Sequence, residues 1–151
     1  PPTLRRQRQM CIRDRYTYYG GMKAHRSLVH EGPFDEALYT SKDEILEGTT
    51  FSFFIVKNES VITPKLDGRI LGSVTRKNLL RIMDAQNIQH SESIISIEDL
   101  KSSSEAFIAS ANRDLIPVVS VSGNKIGDGK IGPVYEKLMS LYQQELLKIN
   151  I

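Results

Sequence analysis

Apolar residues fill Phe51-Ser52-Phe53-Phe54-Ile55-Val56 so densely that neither side of an extended chain there is polar. Such a strand belongs at the centre of a sheet covered on both faces. Ile45 to Thr50 reads as a strand leading into it, with a break near Gly48. Asn58-Glu59-Ser60 reads as a hairpin turn into Val61-Ile62-Thr63. From Val74 to Gln86 the period becomes helical, with Leu79, Leu80, Ile82 and Met83 inward and Ser73 as a candidate N-cap. Ile88 to Ile97 predicts a strand weakened by Ser91 and Ser93, followed by a short helical turn over Ile97–Leu100.

Glu105–Ala109 predicts a buried strand, and Leu115–Val121 another, which Ser122-Gly123-Asn124 turns into Lys125-Ile126. Gly132-Pro133 opens a long C-terminal helix, with proline at its favoured first position and Val134, Leu138, Leu141, Tyr142 and Leu146 inward. Upstream, residues 19–31 read as a short helix with Met22, Leu28 and Val29 apolar, stopped by Gly32-Pro33. Glu36–Thr40 is a brief strand and Ser41–Glu44 a polar turn. Strands joined by hairpin-length turns and separated by three helices argue for an α+β fold with a mixed or antiparallel sheet.

At 151 residues the chain has room for one domain and one core. No apolar run approaches the roughly 18 residues needed to cross a bilayer. One cysteine, Cys11, excludes an internal disulfide and fits a reducing, cytoplasmic setting. The net charge of +2 is misleading, because residues 1–15 alone carry +4 and leave −2 on the rest. That basic segment, ending RQRQMCIRDR, resembles translated sequencing-adapter read-through. It is set apart as a non-native, disordered tail, and residues 16–151 are read as the domain.

Two segments carry candidate chemistry. Glu47-Gly48-Thr49-Thr50 places a carboxylate at the mouth of a strand. Leu71-Gly72-Ser73-Val74-Thr75-Arg76 places a small-residue turn at a helix start, where free N–H groups and the helix dipole attract phosphate. A carboxylate beside a phosphate cradle suits a flat cationic cofactor with a phosphate arm, and pyridoxal phosphate is such a molecule. The plainer readings are a solvent-facing Glu47 at a hairpin end and Ser73 and Thr75 as ordinary helix caps. Both stand on these residues alone.

In this order, the segments resemble the C-terminal half of a fold-type IV (class IV) pyridoxal-phosphate aminotransferase. Glu47–Phe54 resembles that family's glutamate strand, and Thr63-Pro64 with Ile70–Arg76 its phosphate turn and helix. Glu105–Ile108 leading to Pro117-Val118 resembles its next strand pair, and Gly127–Pro133 the turn before its last helix. The resemblance runs from about residue 19 to about residue 145. It implies the large domain of the D-amino acid aminotransferase-like fold, a pseudo-barrel sheet with flanking helices, truncated at its N-terminus. It also implies that Glu47 holds the ring nitrogen, Leu71 packs on the ring, and Ser73, Val74, Thr75 and Ala111 hold the phosphate. Ala111 and Asn112 would meet the substrate.

Three positions depart from the family's pattern. Ser52 stands where asparagine is usual, Ser73 where glycine is usual, and Ala111 where threonine is usual. Arg113 is also less usual. The largest departure concerns the Schiff-base lysine, which the family carries about 32 to 34 residues before its glutamate. That spacing falls on Arg13, Asp14 or Arg15, and Lys23 lies roughly nine residues off it. No catalytic residue is therefore assigned.

The resemblance implies a fragment of a cytoplasmic transaminase of the branched-chain amino acid type, acting between an α-amino acid and a 2-oxo acid. It would be inactive by itself, from a protein that forms a homodimer or higher oligomer, without metal, membrane or nucleic-acid partners. A D-amino acid aminotransferase or an aminodeoxychorismate lyase is the alternative within the family. A non-enzymatic domain that grips nucleic acid with its basic arm is the alternative from another class. His25, His30 and His90 are scattered and read as surface or helix-face residues, and no nucleophile elbow or nucleotide-type glycine pattern occurs.

Overall fold

The computed structural model describes Lys23 and residues 25–149, so Met22 and the basic segment lie outside the described residues. It divides into two units, the first comprising residues up to Tyr39 together with Gly48–Thr50. In that unit Arg26–His30 forms a single π-helical turn where the sequence predicts part of an α-helix. Its Glu31 amide closes back onto the Arg26 carbonyl, which ends the turn just before Gly32-Pro33.

The second unit, Thr40–Glu47 with the chain from Phe51 onward, holds the core. Its main sheet has five strands: β3 (Ser52–Lys57), β4 (Ser60–Pro64), β5 (His90–Ser93), β7 (Glu105–Ser110) and β8 (Asp114–Val118). Their order across the sheet is β5-β4-β3-β7-β8. The strand that is apolar on both sides, β3, is central as its pattern requires, and Ser52 through Val56 are all buried. It pairs antiparallel with β4 and with β7, bringing Phe54 opposite Phe107, whose rings stack at 5.0 Å. Asn58 and Glu59 make the β3–β4 turn with φ of +50° and +61°, the left-handed pair that matches a two-residue hairpin to the strand twist.

Helix α1 (Val74–Ala85) carries the chain from β4 to β5, and those two strands run parallel. A mixed sheet therefore results. Leu79, Ile82 and Met83 of α1 and Tyr135, Leu138 and Tyr142 of α3 (Pro133–Ile149) pack with Phe54, Val56, Phe107 and Ala109 of the sheet. Tyr135 is not among the inward positions that the helical pattern predicts. Its hydroxyl donates to the Leu115 carbonyl at 3.0 Å, which lets a tyrosine take a core position.

Two predicted strands each split in two. Ile88–Ile97 is divided into β5 and β6 (Ile95–Ser96), the first pairing parallel with β4 and the second antiparallel with β2 (Glu44–Gly48). β6 closes a three-stranded sheet with β2 and β1 (Leu38–Ser41). Leu115–Val121 is divided into β8 and β9 (Ser120–Val121), and β9 forms a two-stranded ribbon with β10 (Asn124–Lys125). Among the described residues the strands form these three sheets and no closed barrel. The short helix α2 (Ile97–Lys101) begins in a capping box of Ser96 and Asp99. No helix of the described residues is long and apolar enough to cross a membrane.

The last helix is started by a residue from the sheet. The Glu105 carboxylate, buried at the start of β7, accepts from the amides of Val134 at 3.0 Å and Tyr135 at 2.8 Å. Gly132, just ahead of Pro133, leaves room for that carboxylate, since a Cβ there would overlap it and force it to shift. This gives the Gly132-Pro133 pair a structural purpose.

Candidate functional site

Glu47 lies near the end of β2, and Leu71 lies in the connection from β4 to α1. The structure ties them directly: Oε2 of Glu47 accepts a 2.8 Å hydrogen bond from the Leu71 N–H. A second tie runs through Arg69, whose guanidinium pairs with Glu44 of β2 at 2.6 Å and with Asp67 at 2.6 Å. The Arg69 side chain and amide hold the Asp67 carboxyl at about 2, well below an ordinary aspartate. A connection without periodicity is thereby ordered by these ion pairs, by the Leu71–Glu47 and Lys65–Ser93 hydrogen bonds, and by the buried side chain of Ile70.

Helix α1 starts immediately after this connection. Ser73 is its N-cap, and its Oγ accepts from the Arg76 amide at 3.1 Å. The Ser73 amide donates to the Leu71 carbonyl at 3.0 Å, so Ser73 contributes its hydroxyl rather than its N–H to the end of the helix. The amides of Val74 and Thr75 have no acceptor among the described residues, as expected for the first positions of a helix. No acidic side chain occupies the first turn, so the positive end of the dipole is not offset by the helix itself. Val74 is 73 % exposed, whereas Thr75 is buried.

Arg76 anchors this end of the helix. Only 2 % exposed, its guanidinium donates to the Pro64 carbonyl at 2.8 Å and pairs with Glu92 of β5 at 2.6 Å. The residue therefore joins α1 to the ends of the parallel β4–β5 pair. The helical pattern does not single it out as more than part of the turn. Its position directly after Thr75, on the face that also carries Leu79 and Met83, is the one signal that it would point inward.

Ser52 opens β3 with its hydroxyl 2.9 Å from that of Ser73. Because Ser52 pairs with Ala109, the hairpin loop at Ala111-Asn112-Arg113 sits at the same end of the sheet. Ala111 and Asn112 are exposed there, and the Asn112 amide donates to the Ser110 hydroxyl at 3.3 Å. The structure thus brings Glu47, Leu71, Ser73, Val74 and Thr75 together, with Ala111 and Asn112 on a neighbouring loop. Lys23 is exposed and belongs to the first unit, and Arg13, Asp14 and Arg15 lie outside the described residues.

Two unpaired amides and a threonine hydroxyl as donors at a helix start, with a carboxylate as acceptor beside them, form a set that fits a phosphate-bearing cationic ring. Known proteins share this framework. The family model for amino-transferase class IV matches residues 15–121. The chain is 30% identical over 103 residues to a D-alanine aminotransferase of Staphylococcus haemolyticus, a match covering 68% of this chain and 36% of that protein. It is 32% identical over 111 residues to a probable branched-chain-amino-acid aminotransferase of Aquifex aeolicus, covering 72% of this chain and 36% of that protein. The chain thus spans little more than a third of the length of either relative. A branched-chain amino acid aminotransferase of Thermobaculum terrenum, solved in its pyridoxal-phosphate form, superposes with a TM-score of 0.77 at 22% identity. That likeness covers 84% of this chain and 42% of the other, and it shows the shared fold. With more than half its length matched by the family model, the chain belongs to the class IV aminotransferases.

Proposed function

We propose that this chain is the cofactor-holding portion of a pyridoxal-phosphate-dependent transaminase. The complete protein would transfer an amino group between an α-amino acid of the branched-chain type and a 2-oxo acid. The observation that carries this reading is the bond from Leu71 to Glu47, which sets a carboxylate beside the open amide end of α1. When bound, the cofactor supplies an electron sink for the substrate's α-carbon. Glu47 keeps the ring nitrogen protonated, and Leu71 lies against the ring. The amides of Val74 and Thr75, with the Thr75 hydroxyl, hold the phosphate, and Ser73 orders that turn. Ala111 supports the phosphate from the neighbouring loop and, with Asn112, meets the substrate carboxylate.

Residues 13–15 contain no lysine to carry the cofactor or move the α-proton. These 151 residues are accordingly proposed to bind the cofactor weakly, without a covalent bond, and to transaminate nothing. Leu66 and Val74, 52 % and 73 % exposed beside the site, present apolar surface suited to the rest of the protein or a second subunit. A cytoplasmic homodimer or higher oligomer is the setting proposed for the whole enzyme.

The test is titration of the chain with pyridoxal phosphate, followed by borohydride reduction and peptide mapping. Saturable binding that dialysis reverses, with no labelled lysine, is the expected result. Labelling at Lys23, or no binding, would overturn the reading. The similarity to a D-alanine aminotransferase favours a second reading, in which the substrate is a D-amino acid. Phosphopyridoxyl-L-leucine and phosphopyridoxyl-D-alanine separate the two: tighter binding of the first supports the branched-chain reading.

A further inference from the structure

Two departures from the family pattern, Ser52 and Ser73, face each other across the gap between β3 and α1, their hydroxyl oxygens 2.9 Å apart. Ser52 is 4 % exposed, and Ser73 is the only partner its hydroxyl has among the described residues. Ser73 Oγ is at the same time the acceptor that caps the Arg76 amide. A hydroxyl has one proton and two lone pairs, so Ser73 makes both bonds in a single rotamer.

We propose that Ser52 is a positioning residue for the phosphate cradle, acting through Ser73. This rests on the reading of α1's N-terminus as the cofactor's phosphate site. A serine N-cap alone can leave the helix end by rotating about χ1, and the first turn then frays. Ser52 sits on the central strand and removes that freedom from below, which fixes the directions of the free Val74 and Thr75 amides. Glycine at position 73 would offer no hydroxyl to grip, so the device requires both serines together. The ligand class is a phosphate monoester carried on an aromatic ring, and the pair acts on the phosphate end only.

The test uses the 151-residue chain with Ser52→Ala, Ser73→Gly, the double variant and Ser52→Thr. Three readouts apply: amide exchange of Arg76 and Thr75 in the ligand-free protein, affinity for pyridoxal phosphate, and affinity for pyridoxal, which lacks the phosphate. Losing one buried hydrogen bond predicts that Ser52→Ala weakens pyridoxal phosphate roughly three- to tenfold and speeds Arg76 exchange by a similar factor. Pyridoxal binding should change less than about 1.5-fold, Ser52→Thr should restore binding, and Ser52→Ala should add nothing in the Ser73→Gly background. Equal losses for both ligands, an undiminished effect in the Ser73→Gly background, or unchanged Arg76 exchange would each overturn the proposal. If the unmodified chain binds no pyridoxal phosphate, the reading of the site fails, and exchange measured with and without inorganic phosphate still decides the role of Ser52.

Discussion

The Glu47 carboxylate takes the Leu71 amide as a hydrogen-bond partner at 2.8 Å, joining two segments that are far apart along the chain. One oxygen of the carboxylate therefore organises the protein, and the group's charge is the part assigned to the cofactor in the function proposed above. Glu47→Gln keeps an oxygen for Leu71 but loses that charge. Its far-UV spectrum and unfolding midpoint should stay near those of the parent sequence, while pyridoxal phosphate affinity falls roughly tenfold. Glu47→Ala should lose both affinity and order in the 65–72 connection, readable as faster amide exchange at Leu71.

Arg76 is buried with two acceptors, the Pro64 carbonyl and Glu92. Arg76→Met keeps much of the side-chain volume but leaves the Pro64 carbonyl unpaired in the interior. Urea unfolding should report a loss of about 2–3 kcal/mol. Arg76→Lys, with one donor group on a flexible stem, should fall between the parent sequence and Arg76→Met.

Gly132→Ala places a methyl group where the Glu105 carboxylate caps α3. Displacing the carboxylate, or the start of the helix, should cost about 1–3 kcal/mol and lower helical ellipticity. Glu105→Gln retains one acceptor oxygen for the two amides and should cost about 1 kcal/mol. A larger loss for Gly132→Ala than for the isosteric Glu105→Gln would show that space at Gly132 matters more than charge at Glu105.

Lys57 and Ser96 hold the Asp99 carboxyl at about 2, below the ordinary 3.8. A depressed folded-state pKa stabilises the protein above the unfolded value, and that contribution is lost as the pH falls through 3.8 toward 2. Both partners are about one-third exposed, so solvent screening limits the contribution to about 1 kcal/mol. The stability gap between the parent sequence and Asp99→Asn should be full at pH 6 and should shrink below pH 4 in urea titrations. A gap independent of pH would show that the hydrogen bonds of the capping box, not the charge, stabilise this corner.

Glu59 holds a φ of +61° in the two-residue turn between β3 and β4. Glycine takes that conformation without strain, and Asn-Gly suits such a turn better than Asn-Glu. Glu59→Gly should raise the unfolding free energy by about 0.5–1 kcal/mol, an unusual sign for introducing a glycine.

Local pattern made much of the fold legible. The apolar run from Phe51 to Val56 could only be central, the helical period from Leu79 to Met83 marked α1, and Ser73 marked its start. Where one segment serves two sheets, the pattern was silent. Ile88–Ile97 and Leu115–Val121 each look continuous because alternation does not record which partner a strand pairs with. The candidate site divided in the same way. Glu47 and the turn at Leu71–Arg76 were visible as chemistry, whereas the buried ties of Arg76 and the facing hydroxyls of Ser52 and Ser73 were not.

The sequence by itself determined the α+β character, the central strand, the helix starts at Ser73 and Pro133, and the residue types suited to a phosphate-bearing cationic ring. These depend on neighbours within a few positions, where spacing dictates which side chains share a face. Only the tertiary structure decided that β4 and β5 run parallel, that Glu105 caps a helix some thirty residues away, and that Glu47 meets Leu71. Those contacts are set by how sheets and helices pack against one another, and local periodicity does not encode them.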